Sequence, residues 1–187
     1  MSVLAIDTAS RSRVVVVLAT ADGELIQGVA LQGQSVGALL PRAMTPMLSM
    51  VRRAVVVVTG PGTYTGVRAG MAAALGVAQA LGLPLHGVVS LEVTASAPMP
   101  ELGPGAWVVA DAGRGALYVA RKSDPGNPQR IMGAAFDPDG QPVASTEPIA
   151  LEGLVAVDPV LALAASVVRA VSRPPLDPVG LTAMYVD

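Results

Sequence analysis

AVVVVTGPGTYTGVRAGMAAALGVAQAL, residues 54–81, is the stretch on which the fold turns. Ala54 to Val58 are apolar without alternation and sit between Arg53 and Thr59. A strand with that pattern is buried on both faces, as in parallel sheets flanked by helices. The loop Gly60-Pro61-Gly62-Thr63-Tyr64-Thr65-Gly66 follows. Val67, Met71, Ala74, Leu75, Ala78 and Leu81 then recur on one helical stripe, predicting a helix over residues 65–81 that Gly82 and Pro84 stop. Leu85 to Val89 is the next strand, and Ser90 is placed to cap a short helix over 91–97. Strand, helix, strand in this order requires parallel crossovers, so the chain is α/β.

The glycine loop lies between a buried strand and a helix, where backbone N–H groups can hold an anion. Its spacing fits neither phosphate-binding pattern. Arg68 is not the lysine of a P-loop, and Thr65 stands where a dinucleotide fingerprint has its third glycine. The plainer reading is a tight strand-to-helix turn with Thr65 as N-cap. Working outward, residues 3–6, 14–19 and 25–31 form an antiparallel meander, its second turn marked by Asp22-Gly23. Val36, Leu39, Leu40, Ala43, Met44, Met47, Leu48 and Val51 set a second amphipathic helix over 35–51, which Pro41 and Pro46 kink or break. Prolines and glycines over 98–105 mark a boundary. We therefore expect a first lobe over 1–100 and a reduced second lobe over 101–187. In the second, 106–110 and 116–121 are strands, 123–148 is a loop-rich insert, 159–171 is an apolar helix, and the tail ends Tyr185-Val186-Asp187.

Composition narrows the chemistry. Of 187 residues, 52% are apolar and 3% aromatic, so Val, Leu, Ala and Met must fill the core. A net charge of -2 provides no basic field to hold nucleic acid by counterion release. There is no cysteine, and His86 is the single histidine. Disulfides, thiolate nucleophiles and metal sites with paired imidazoles are excluded, and we expect no metal ligand set. Residues 1–7 lack the basic start of a signal peptide, and no apolar run reaches the ~20 residues of a spanning helix. The expectation is a cytoplasmic protein with no membrane contact.

Asp7-Thr8-Ala9-Ser10 places an acid at the end of the first strand with hydroxyls behind it. Actin-like ATPases hold phosphate in such a hairpin, using Gly where this chain has Ala9, whose Cβ would crowd a phosphate. Asp7, Thr8 and Ser10 thus read as a degenerate phosphate loop, or simply as a turn braced by its own Asp. Asp111 and Arg114 flank a turn and could brace a hairpin as a pair. Glu92 and Glu101 show no partner by spacing, and His86 in a strand reads as structural.

Three segments taken together resemble the TsaB (YeaZ) family: VLAIDTAS at 3–10, the run from Val55 to Ala95, and VVADAGRGALYVA at 108–120. The family signature G-P-G-[ST]-[FY]-T-G-[LV]-R is matched without a gap from Gly60 to Arg68. Its hairpin motif is met by Asp111, Ala112, Arg114 and Tyr118, with Gly113 in place of one Arg. The resemblance implies an actin-like ATPase (ASKHA, ribonuclease H-like) fold of two related lobes, the second reduced. It also implies a non-catalytic subunit in tRNA N6-threonylcarbamoyladenosine synthesis. Such a subunit pairs with a catalytic TsaD-like protein and a TsaE-like ATPase, forms a homodimer in isolation, and meets tRNA only through the complex. No cofactor is expected on this chain alone, while ATP or ADP could lodge at the partner junction. For the partner interface the small and adaptable residues of the two helices are the candidates: Leu40, Met44, Met47, Gly70, Met71, Ala73, Ala74, Leu75 and Ala78. A stand-alone nucleotide-binding enzyme of the same fold is the competing expectation.

Overall fold

A computed structural model describes residues 1–33, 35–179 and 181–186; Asp187, the last residue of the tail motif, lies outside the described residues. The first sheet holds β1 (Ser2–Asp7), β2 (Arg13–Thr20), β3 (Leu25–Gln32), β4 (Ala54–Val58) and β5 (Leu85–Val88), in the order β3-β2-β1-β4-β5. The meander pairs antiparallel, Leu4 opposite Leu18 and Val16 opposite Val29. The extension pairs parallel, Leu4 beside Val55 and Val55 beside Leu85. Nearly every residue of β1, β2 and β4 is buried, so both faces of this sheet are covered. The helices α1 (Val36–Met44) and α2 (Tyr64–Leu81) touch each other and cover one face. The other face is covered by α4 (Pro159–Val171), which follows the short α3 (Ser90–Ala95) in chain order. Each fully buried valine here contributes on the order of 1.5–3 kcal/mol of transfer free energy.

The second sheet repeats the plan. It holds β6 (Trp107–Gly113), β7 (Ala116–Arg121), β8 (Gln129–Met132), β9 (Val143–Ser145) and β10 (Leu154–Ala156) in the order β10-β9-β6-β7-β8. Here too a three-strand antiparallel meander, β6 to β8, is extended in parallel by two later strands, β9 and β10. Strand for strand, β6 to β10 carry the order and sense of β1 to β5. These are the two related lobes that the resemblance implies. In the second, the parallel strands shrink to three residues each.

Several expectations need correction. The helix over 35–51 ends at Met44, and a separate 3-10 turn covers Leu48–Met50. The N-cap of α2 is Thr63, not Thr65. Ser90 is the first residue of α3 rather than its cap; Val89 is the cap, with the Glu92 carboxylate accepting from the Val89 N–H. The insert 123–148 contains β8 and β9, and β10 follows where no strand was expected. Nor is 101–187 a self-contained unit: α4 lies on the first sheet, where the Val160 and Val168 side chains approach Gly28 and Gly23.

Candidate functional site

The two lobes face each other across a cleft at the ends of β1, β6 and β9. Its walls are the Asp7-Thr8-Ala9-Ser10 hairpin, the glycine loop, the start of α3, the end of β6 and the residues after β9. The loop after β4 lies directly on the hairpin. Thr63 N–H donates to the Ala9 carbonyl at 2.9 Å, and Thr8 Oγ1 donates to the Gly66 carbonyl at 2.7 Å. A Cβ on Gly62 would stand 2.6 Å from Ala9 Cβ and 2.7 Å from the Ala9 carbonyl oxygen. One on Gly66 would strike the Thr8 carbonyl, and one on Gly70 the Thr8 hydroxyl. Gly62, Gly66 and Gly70 are therefore spacers that let α2 settle onto the first hairpin, while a Cβ on Gly60 would meet the Met184 carbonyl of the tail. From the α3 side, Ser90 Oγ donates to the Pro61 carbonyl at 2.7 Å and Ser90 N–H to the Gly60 carbonyl at 2.8 Å. The Gly60–Pro61 peptide is cis.

Between the hairpin and the glycine loop remains a cavity of about 20 Å³, lined among others by Asp7, Ser10, Arg13, Thr94, Asp111 and Glu147, and beside it Ser10, Arg11, Asp111 and Glu147 line an open pocket of about 270 Å³. The smaller cavity is room for about one water molecule. Asp7 is 8% exposed, and its Oδ1 accepts from the Ala9 N–H at 2.9 Å. Burial pushes the Asp7 carboxyl above the usual carboxylate range, against the opposing pull of Arg13 and of the Ala9 N–H. Glu147 is raised in the same way, by burial first and in part by Asp7, although the Asp111 N–H at 2.7 Å and Ser10 favour its charged form. Arg13 crosses between the lobes: Nη1 donates to the Thr146 carbonyl and Nη2 to Thr146 Oγ1 at 3.3 Å. Asp111 does not brace its hairpin with Arg114. It pairs with Arg11 of the first lobe at 3.3 Å, while Arg114 sits exposed at the hairpin tip with φ 56°. Tyr118 is half-buried against the cluster of Leu91, Ala95, Val108 and Ala120.

Outside the cleft, Tyr64 and Arg68 hold the chain's tail. The Tyr64 and Tyr185 rings stack with centroids 5.7 Å apart, and the Arg68 guanidinium lies 3.9 Å above the Tyr64 ring. Arg68 Nε donates to the Tyr185 hydroxyl at 3.0 Å, and Met184 N–H donates to the Thr59 carbonyl at 2.7 Å. The expected interface set divides on burial. Leu40, Met44, Met47, Gly70, Met71, Ala74 and Ala78 face their own sheet and are core rather than surface. Ala73 and Leu75 are half-buried, and the outward face of α2 is instead Ala72, Gly76, Gln79 and Ala80. The small residues Ala72, Gly76 and Ala80 are thus the outer side, one step around the helix from the residues expected there.

Sequence reasoning missed the strongest ion pairs. Glu92, 1% exposed, accepts from Arg173 Nη1 at 2.9 Å and Nη2 at 2.5 Å, with Arg169 Nη1 at 3.5 Å. Burial acts to raise the Glu92 carboxyl, but Arg173, the Val89 N–H and Arg169 together hold it below the usual range. The only local signal was its place at the third position of a capped helix. His86 is buried, and burial lowers its pKa. No cluster of three metal-ligating side chains exists among the described residues. No described helix is long and apolar enough to cross a membrane.

A family model described as "TsaD: tRNA N6-adenosine threonylcarbamoyltransferase" matches residues 51–156. An uncharacterized protein of Mycobacterium leprae is 37% identical over 142 residues, which cover 71% of this chain and 37% of that relative. The chain thus spans well under half the length of this relative. Among solved structures, YeaZ from Pseudomonas aeruginosa matches with a TM-score of 0.69 at 21% identity, covering 99% of each chain. The ethanolamine utilization protein EutJ from Carboxydothermus hydrogenoformans matches with a TM-score of 0.52 at 14% identity, over 88% of each chain. At such identities the likeness is one of fold, the two-lobed actin-like α/β fold. With its signature loop, β4, β5 and the whole second sheet inside the matched span, the chain belongs to the tRNA N6-adenosine threonylcarbamoyltransferase (TsaD) family and is built on the YeaZ fold.

Proposed function

We propose that this chain is a non-catalytic scaffold subunit in the synthesis of N6-threonylcarbamoyladenosine at position 37 of tRNA, in the manner of TsaB. Its partners in this reading are a TsaD-like catalytic subunit and a TsaE-like ATPase. The observation that carries it is the filled cleft. Where an actin-like ATPase keeps its nucleotide, the loop from Gly60 to Gly66 lies on Ala9, and about 20 Å³ remains. A phosphate group has no room between the hairpin and the loop without separating them. Nucleotide then belongs at a junction with the partner, and tRNA is reached through the assembly. The exposed small residues of α2, Ala72, Gly76 and Ala80, suit close approach of another helix, for a homodimer in isolation and for the catalytic partner in the complex. The setting is the cytoplasm, where tRNA is modified.

The test is reconstitution. Purified chain, TsaD-like subunit, TsaE-like ATPase, tRNA and threonylcarbamoyl donor are combined, and modified adenosine is measured with each component omitted in turn. Product should need this chain together with the catalytic subunit, and the chain alone should neither turn over ATP nor modify tRNA. ATP turnover by the chain alone, lost on Asp7→Ala, would establish the stand-alone enzyme instead.

A further inference from the structure

We propose that the outer side of the glycine loop and of the first turn of α2 is a seat for an extended, tyrosine-bearing peptide segment, and that the chain's own residues 181–186 fill it as a removable strap.

The loop and the start of α2 have two sides. Gly62, Gly66 and Gly70 face the Thr8-Ala9 hairpin, whereas Gly60, Tyr64 and Arg68 face the tail. Gly60, at φ 106°, is bare where the strap passes: an added Cβ would stand 2.6 Å from the Met184 carbonyl oxygen. The Met184 N–H donates to the Thr59 carbonyl at 2.7 Å, so the strap binds by its backbone at the end of β4. Tyr64 and Arg68, one turn apart on α2, take the ring. Tyr185 stacks on Tyr64, Arg68 lies over Tyr64, and Arg68 Nε donates to the Tyr185 hydroxyl at 3.0 Å. Leu181 and Ala183 pack on the main hydrophobic core, every second residue as in an extended segment. Main-chain bonding for affinity and alternate side chains for selection are the means by which folded domains recognise extended peptides. The present occupant thus defines the ligand: an extended backbone with small or apolar side chains two and four residues before a tyrosine.

The strap is separable from the fold. Leu176 anchors the preceding chain, its N–H donating to the Leu85 carbonyl at 2.7 Å. Val179, between that anchor and the strap, is 96% exposed, so the link stands in solvent. Open pockets of about 510 and 340 Å³ flank the strap, the first against Thr59, Gly87 and Arg173, the second against Arg68 and Met71. A segment seated beside such gaps lacks the close contact on all sides that holds a core together. Tyr64 and Tyr185 stay 58% and 48% exposed within their stack. Leaving the seat therefore uncovers no valine of the sheet, and openings of this local kind lie well below global unfolding in free energy. Tethering gives the strap an effective concentration on the order of millimolar. That suffices to keep a seat of modest affinity filled by its own chain and closed to segments of other molecules. The seat lies outside the cleft, and its occupancy does not depend on any chemistry there.

The experiment uses the full chain and a fluorescein-labelled peptide of residues 181–187. In the wild type, NMR should show a ring-to-ring Overhauser contact between Tyr64 and Tyr185, and the peptide should bind weakly because its seat is taken. Tyr185→Ala should leave the core resonances and melting temperature unchanged. It should bind the peptide at least tenfold more tightly in fluorescence anisotropy, since a seat nine-tenths filled weakens apparent binding about tenfold. The same peptide carrying Tyr185→Ala should not bind, nor should the original peptide bind a Tyr185→Ala chain that also carries Tyr64→Ala. Absence of the Tyr64–Tyr185 contact in the wild type, equal peptide affinity for wild type and Tyr185→Ala, or no binding by Tyr185→Ala at millimolar peptide each overturns the proposal. A Tyr185→Ala chain that fails to fold overturns it as well, because the tail is then part of the core and not a strap.

Discussion

At the scale of single residues, Gly62 and Ala9 explain each other. An actin-like phosphate hairpin keeps a glycine at the position of Ala9 so that a phosphate can approach the backbone. Here the Ala9 methyl and carbonyl receive the chain's own loop, and Gly62 is the residue that lets them meet. A side chain at Gly62 collides with backbone, which cannot give way as a flexible side-chain end can. Gly62→Val should therefore destabilise the fold by about 1–3 kcal/mol, the usual range for overpacking, read as a fall in melting temperature. An unchanged melting temperature together with a lost affinity for a phosphate ligand would show the loop to be an anion site. The sequence made half of this visible. The spacing of Gly60, Gly62 and Gly66 ruled out a phosphate loop, but the reason for Gly62 and Gly66 lies in Ala9 and Thr8, more than fifty residues upstream, and that for Gly60 in the Met184 carbonyl of the tail. No local pattern carries a contact of that range. Asp111 shows the same limit. Its nearest basic residue along the chain is Arg114, yet the turn places Arg114 at the tip with positive φ and leaves Arg11 of the other lobe as the partner.

At the scale of elements, burial decides which face of α2 can meet another molecule. Ala74 is fully buried against the sheet, whereas Ala72 is exposed. Ala74→Glu places a charge in the core and should prevent folding. Ala72→Glu should leave the circular dichroism spectrum and melting temperature unchanged while weakening self-association in sedimentation and capture of the catalytic partner. A folded Ala72→Glu chain that sediments and binds as the wild type would move the interface off α2. The junction of α3 and α4 gives a prediction of a different kind. Glu92 ties the two helices through Arg173 and Arg169 and also closes the first turn of α3. Its carboxyl is held below the ordinary range, so it contributes stability above that range, and this is lost as pH falls through the lowered value. Glu92→Gln should reduce stability at neutral pH by on the order of 2 kcal/mol. That lies below the ~3–5 kcal/mol of a fully buried broken pair because both arginines are about two-fifths exposed. The variant should also show a shallower acid unfolding limb in denaturant titrations at stepped pH. The elements themselves were legible where apolar pattern alone defines them. The valine runs of β2 and β4 and the stripe of α4 each stand out against neighbours of opposite character. The strands β8, β9 and β10 were not, because segments of three or four residues among prolines and glycines carry no measurable period.

At the scale of the whole molecule, the two lobes are one folding problem rather than two. A boundary at 98–105 reads naturally from its prolines and glycines, and it does separate the two sheets. It fails as a domain boundary because a helix from beyond the second sheet completes the first. The apolar stripe of α4 puts Ala162, Leu163, Ala164, Val167 and Ala170 at 0–1% exposure. Its partners are strands of the first sheet, whose central members are buried on both faces only because α4 lies there. Without α4, one face of a five-stranded sheet rich in valine is left open to water, a patch larger than a stable soluble domain tolerates. Glu92 would also lose Arg169 and Arg173 together, leaving a buried carboxylate without a cation. A fragment of residues 1–105 should therefore fail to fold alone, with weak dispersion in its NMR spectrum and a tendency to aggregate. Adding a peptide of residues 158–173, which carries α4, its Asp158 cap and both arginines, should restore dispersed resonances and a cooperative thermal transition. The same peptide with Leu163→Asp should not. A 1–105 fragment that melts cooperatively without the peptide would show that the first lobe stands by itself and that α4 merely rests on it.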